Sequence, residues 1–372
     1  MKDIVRGGYY GRYLPNGYLV YIHQGSLFAM RFDAGGQETR GAAVAVLADV
    51  GGNGAQGAGQ LAFTRDGTLA YLNGGGREQA QVLAWLSADG TEEPVFGPFN
   101  LATPRISPDG KRVAVSLSGV LAVYDTKRDA LARLSSGDFH NPVWTPDGRR
   151  LLAGVAQSGI SWLPSDGSSP PQSLFESKDG MAFPTSLSPD GRIAAIQKTS
   201  GKTGADIWML PIESTTDGIR AGEPREFLAS PASDMDAAFS PDGKWVAYAS
   251  NDTGRDQVYV VPFPDGAQGG RVIVSGPTGR FPVWSRARKE LFYVADGGHI
   301  TVVPYSFSGR TFTPGEVREW SEAPVFQNGR LPTVDLAPDG KRFLVTPAVP
   351  GAEPVHVTLL LHFFDELRRR VR

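Results

Sequence analysis

Hydrolysis, metal ligation and ligand recognition all need polar side chains that converge, and in this chain the candidates recur in a periodic frame. Eight stretches align on a turn-forming phrase, and the residues leading into each phrase form columns. One column reads Arg12, Ala62, Arg105, Val143, Ser186, Ala238, Val283 and Asp335. The column two residues earlier reads Tyr10, Gln60, Thr103, Asn141, Pro184, Asp236, Phe281 and Thr333. Small residues mix there with Arg, Asp, Asn and Gln, which a packed interior does not hold unpaired. Both columns are therefore expected to approach a common polar space. Tyr10, Arg12, Gln60, Thr103, Arg105, Asn141, Phe281 and Asp335 are the candidates for contacting a ligand there. Asp236 is the candidate general base, should the space house hydrolysis of a small ester, lactone or phosphoester. Two readings stay open: Arg12, Arg105, Asp236 and Asp335 form a structural ion network plugging the space, or they receive a ligand or cation.

A divalent cation is the cofactor such a site could take. Oxygen donors from Asp236, Asn141 and Gln60 suit calcium or magnesium. His140 with Asp236 suits zinc or a similar ion, with His23 and His299 in turns expected on the same face. The chain has no cysteine, so thiolate chemistry and disulfides are excluded.

The frame that must position these residues is an internal repeat. Ser107-Pro108-Asp109-Gly110, Thr145-Pro146-Asp147-Gly148, Ser188-Pro189-Asp190-Gly191, Ser240-Pro241-Asp242-Gly243 and Ala337-Pro338-Asp339-Gly340 are close copies. Leu14-Pro15-Asn16-Gly17, Thr64-Arg65-Asp66-Gly67 and Ser285-Arg286-Ala287-Arg288 are weaker ones. Proline presets the first corner of a tight turn, Asp tolerates the second and Gly supplies a positive φ. The conspicuous Asp-Gly aspartates are thus turn formers. Each turn joins two alternating strands, and the spacing of about 40–50 residues suits a propeller blade. The fold expected is all-β: a β-propeller of about eight four-stranded blades, with seven or six as alternatives, forming a single domain over 1–372. The eighth repeat, with strands near Thr333–Leu336, Arg342–Val345 and His356–Leu361, lacks a fourth strand. Asp3-Ile4-Val5 is expected to supply it and close the ring, removing two open edges. The segment Phe363–Arg370 reads as a short helix packed by its aromatic side.

Net charge is −2, with no basic stripe, so no nucleic-acid partner is expected. No apolar run reaches the roughly 18 residues of a membrane helix, and the first residues lack a signal-peptide core; no membrane insertion by this chain is expected. Trp162, Trp208 and Trp320 read as outer blade packing.

The Ser-Pro-Asp-Gly-Lys phrase with an apolar strand and Ser250–Asp256 resembles TolB-type propeller repeats. Gly11–Tyr21, Gly67–Tyr71, Phe281–Ser285 and Leu359–Leu367 resemble the propeller regions C-terminal to the kinase domain in bacterial membrane serine/threonine kinases. That resemblance implies a binding or sensory module presenting a small-molecule or protein ligand at a polar funnel, in a periplasmic or other extracytoplasmic location. The alternative is a metal-dependent hydrolase with its site in the channel. Kinase motifs are absent from these residues, as are Gly-x-Ser-x-Gly and His-Glu-x-x-His.

Overall fold

The computed structural model describes residues 4–371 apart from 6, 24, 37, 49, 54–57, 73–80, 100, 118, 157, 179, 201–203, 216–217, 327–331 and 348–356. Nearly all the regular structure is antiparallel strand. The chain divides into two compact units, Met1–Ala80 with Pro350–Arg372, and Gln81–Val349.

The larger unit is a closed ring of six sheets. Blade I is built from Leu101–Ile106, Arg112–Leu117, Val120–Asp125 and Ala130–Arg133, hydrogen-bonded in that order. Blade II runs Phe139–Trp144, Arg150–Val155, Gly159–Pro164 and Gln172–Glu176. Blades III, IV and V start from the inner strands Ala182–Leu187, Asp234–Phe239 and Arg280–Trp284; III and V each carry a fifth strand, Arg225–Leu228 and Arg318–Glu319, paired with the long third strand. Blade VI joins Val334–Leu336 and Arg342–Val345 to two strands from the start of the unit, Gln81–Ser87 and Glu92–Phe99.

Closure is thus made by Gln81–Phe99, which corrects the expectation placed on Asp3–Val5. Asp3 lies outside the described residues, and Ile4 and Val5 are not in a strand. Val357–Leu360, expected as the third strand of the last blade, pairs instead with Leu69–Leu72 in the smaller unit. His356 lies outside the described residues. Among the described residues, the sheets packed into the larger unit number six.

Packing between blades accounts for that number. Each interface is one apolar cluster fed by two facing sheets, and among the described residues the larger unit has six such clusters. Strand residues with successive side chains on opposite faces can serve both neighbours at once. In Gln81–Ser87, Leu83 packs with Val113 and Leu344, while Leu86 packs with Phe292, Phe343 and Val345. The closing strand therefore binds blade VI to both of its neighbours.

The turn phrase does more than reverse the chain. In blade I the Gly110 N–H donates to the Ser107 carbonyl at 2.8 Å, and the Ser107 hydroxyl donates to Asp109 Oδ1 at 2.6 Å. Blades II, III and IV repeat this arrangement. A Cβ on Gly191 would stand 3.3 Å from Pro146 of the preceding blade, and one on Gly110 would stand 3.5 Å from Pro338 of blade VI. Gly110, Gly148, Gly191 and Gly243 thus lie against a turn proline of the neighbouring blade, whereas Gly340 meets Ser285 and Ala287.

The smaller unit contains the sheet Tyr9–Tyr13, Tyr18–His23, Ser26–Asp33 and Glu38–Leu47, and a second sheet of Leu61–Phe63, Leu69–Leu72 and Val357–Leu360. The helix Phe363–Arg370 buries Phe363, Phe364 and Leu367 among Leu14, Leu61 and Leu69, as its aromatic face predicts. Among the described residues no helix is long and apolar enough to cross a membrane.

Candidate functional site

The inner strands carry a local device that period-two reading does not anticipate. Tyr10, Thr103, Asn141, Asp236 and Phe281 all adopt left-handed backbone, with φ between 49° and 57°. These are five of the eight members of one predicted column. Each sits where the ladder to the second strand slips: Ala102 faces Ser116 and Arg105 faces Ala114, leaving Thr103 and Pro104 opposite one residue. The same slip occurs between His140 and Val143, Met235 and Ala238, and Arg280 and Val283. Such a bulge bends the strand and re-aims the side chains beside it. Asn and Asp tolerate left-handed backbone, whereas Thr and Phe hold it at a cost of order 1 kcal/mol each.

Beside the bulges lies a small cavity of about 40 Å³, lined in part by Arg105, Asn141, Pro184, Asp236, Phe281 and Val334. The structure therefore brings together four of the predicted residues here: Arg105, Asn141, Asp236 and Phe281. Asn141 is buried and its Oδ1 has no hydrogen-bond partner; the same holds for Thr103 Oγ1 in the neighbouring strand. Burial pushes the Asp236 carboxyl up to about 7, against the opposing pull of Arg105, Arg280 and the Phe281 N–H.

A second, wider cavity of about 430 Å³ opens at the other end of the inner strands, on the face of the turns. Pro108, Pro146, Pro189, Pro241 and Pro338 line it, with Arg286 from blade V. Deeper positions come from Val143, Trp144, Phe239, Trp284 and Leu336. The indole N–H of Trp144 donates to the Arg105 carbonyl, and that of Trp284 to the Ala238 carbonyl, both at 2.9 Å. Ile106, Trp144, Leu187, Phe239, Trp284 and Leu336 pack between blades and also wall this cavity. Asp335 lines it as well; its Oδ2 accepts the Ile106 N–H at 2.6 Å and its Oδ1 the Leu336 N–H at 3.1 Å. Burial raises the Asp335 carboxyl above the ordinary range, with Arg105 opposing. Arg105, Thr185, Ala238, Pro282 and Val283 line both cavities and form the waist of the channel.

Several expectations are corrected. Tyr10, Arg12 and Gln60 belong to the smaller unit, not to the ring. There the Arg12 guanidinium lies 4.6 Å from the Tyr10 ring centroid, and the Tyr10 hydroxyl donates to the Leu61 carbonyl at 3.0 Å. The four-membered ion network is not formed as expected, because Arg12 is not in the ring. His140 is engaged by Asp138 at 2.9 Å and His299 by Glu319 at 2.7 Å. His23 Nδ1 lies 2.7 Å from the Gly7 carbonyl in the smaller unit. Among the described residues no three His, Asp or Glu side chains gather as a metal site would require. His140 does not line the cavity that holds Asp236.

The wider cavity on the turn face, and Arg286 within it, escaped the sequence reading. The available signal was Arg286 itself, which stands where six repeats have proline.

This closed ring of radially packed four- and five-stranded antiparallel sheets is a β-propeller. No family model matches the chain. It is similar to a putative TolB from Agrobacterium tumefaciens, with a TM-score of 0.56 and 18% identity over 73% of this chain and 99% of that structure. It also matches TolB from Acinetobacter baumannii at a TM-score of 0.46 and 15% identity, covering 83% and 80% of the two chains. A curated relative, the uncharacterized peptidase YuxL of Bacillus subtilis, is 25% identical over 209 residues, 45% of this chain. The match spans 32% of that relative's length.

Proposed function

We propose that this chain is a binding propeller whose ligand enters the central channel from the turn face. The observation that carries the reading is the 430 Å³ cavity there, walled by apolar side chains and holding a few charged groups. The likeness of its repeats to kinase-associated propellers supports a binding or sensory part with an extracytoplasmic location. A cation at Asp236 and His140 forms no part of this reading. Ala238→Trp would fill the waist and lower half of the channel. Saturation-transfer NMR with a fragment mixture is expected to give hits on the parent chain that are lost in this variant, with its circular dichroism unchanged. Hits that persist in the filled variant contradict a channel site.

A hydrolytic second reading has one feature in its favour: burial pushes the Asp236 carboxyl up to about 7, toward the range that suits a general base. The peptidase name of the curated relative lends it weight only as a proposal, since the match covers about a third of that protein. Turnover of chromogenic esters that disappears in Asp236→Asn supports this reading, and the absence of turnover removes it.

A further inference from the structure

We propose that the turn-face mouth of the channel is a carboxylate site, built for an anionic group carried on an apolar body. The inference rests on the channel-binding reading and narrows it to a ligand class.

Charge bookkeeping within the cavity motivates it. Three ionisable side chains line the 430 Å³ space: Arg105, Arg286 and Asp335. Asp335 is already engaged, each carboxyl oxygen accepting a backbone N–H. Its burial also favours the neutral form. Arg105 Nη1 donates to the carbonyl of its own neighbour, Pro104, at 3.2 Å. Arg105 and Arg286 both pull electrostatically on Asp335, and Arg105 also on Asp236, opposing the rise of those buried carboxyls. Two guanidinium groups therefore line one cavity whose one lining carboxyl, Asp335, is already held by backbone N–H groups. A planar fork of N–H donors matches a carboxylate in bidentate geometry, and low-dielectric walls strengthen the contact.

Shape sets the rest of the ligand. Trp144, Trp284, Phe239 and the turn prolines give the walls an apolar character. Past the waist at Arg105 the space shrinks to about 40 Å³, enough for a water or two. An extended chain cannot thread through, so whatever enters must end there. Two sources share that chemistry: a small organic acid, or the C-terminal carboxylate of a peptide. Arg105 stands at the waist to receive the carboxylate. Arg286, at the exposed rim, adds the second positive charge where each other turn in the ring presents proline.

The test titrates the full chain with 3-phenylpropionate and with N-acetyl-Phe-Leu, each as the free acid and as the primary amide. Tryptophan fluorescence and ligand-observed NMR report binding. The acids are expected to bind, with the amides at least about tenfold weaker, and added salt should weaken only the acids. Tighter binding of the peptide acid assigns a chain end, and tighter binding of phenylpropionate assigns a small acid. Arg105→Gln should abolish the acid preference, but its position beside two buried carboxyls puts the fold at risk. Arg286→Gln, at the exposed rim, is therefore the deciding variant, and it should lower acid affinity several-fold while leaving amide affinity unchanged. Equal binding of acids and amides, unaltered by Arg286→Gln, overturns the carboxylate inference and leaves the channel-binding reading standing. Binding of neither form also overturns it, while the fragment experiment with Ala238→Trp decides the broader reading separately.

Discussion

Asp236 shows how burial turns one side chain into a pH-dependent load on the fold. Its carboxyl is pushed up to about 7 by desolvation, so the folded chain keeps a proton that the unfolded chain releases near pH 4. The raised value means that the stability linked to this group is fully present below about pH 4 and is lost as pH rises through 7. Asp236→Asn, an isostere of the neutral form, should match the parent near pH 4 and exceed it near pH 8 by on the order of 4 kcal/mol. Urea unfolding at both pH values checks this, and a difference independent of pH contradicts it. The turn aspartates act with the opposite sign. Asp109 and Asp190 are held low by the Ser107 and Ser188 hydroxyls and by backbone N–H groups, so their contribution fades only in acid. The sequence separated these two kinds of aspartate correctly, because a Pro-Asp-Gly turn is decided by neighbours in the chain. It could not show that Asp236 occupies left-handed backbone, since a bulge depends on register with the next strand. Thr103 and Phe281, poor residues for that conformation, adopt it too.

Among elements, the strand Gln81–Ser87 has the most consequence. An alternating strand looks the same in sequence whichever partner it takes. The turns, the inner strands and the terminal helix were legible because local pattern defines them. Closure was not, because the pairing of Leu344 with Trp85 joins distant parts of the chain. Leu86 is fully buried between blades V and VI. Leu86→Ala should cost about 2–5 kcal/mol in denaturant unfolding. Ile4→Ala, in the segment expected to close the ring, should change stability by less than about 0.5 kcal/mol, since Ile4 is exposed and outside any strand. A large loss at Ile4 with a small one at Leu86 would restore the N-terminal closure.

For the whole molecule, the repeat count and the blade count are different quantities. Eight turn phrases are present, but the sheets packed into the larger unit number six. The phrases at Leu14–Gly17 and Thr64–Gly67 serve sheets of the smaller unit, which has its own apolar core around Leu14, Ile22, Leu69 and Phe363. The predicted polar columns were partly right for the same reason. Arg105, Asn141, Asp236, Phe281 and Asp335 line the channel, whereas Tyr10, Arg12 and Gln60 belong to the other unit. The channel exists as a closed space only if blade VI is completed by Gln81–Phe99. The chain has no cysteine, so an introduced pair reports that closure without background. Ser87 and Arg342 face each other across the seam, and Ser306 and Thr313 face each other within blade V. Under mild oxidation, Ser87→Cys with Arg342→Cys is expected to form a disulfide as completely as the control pair Ser306→Cys with Thr313→Cys. A seam pair that stays reduced while the control pair oxidises contradicts the six-bladed ring, and with it the channel on which the proposed function rests.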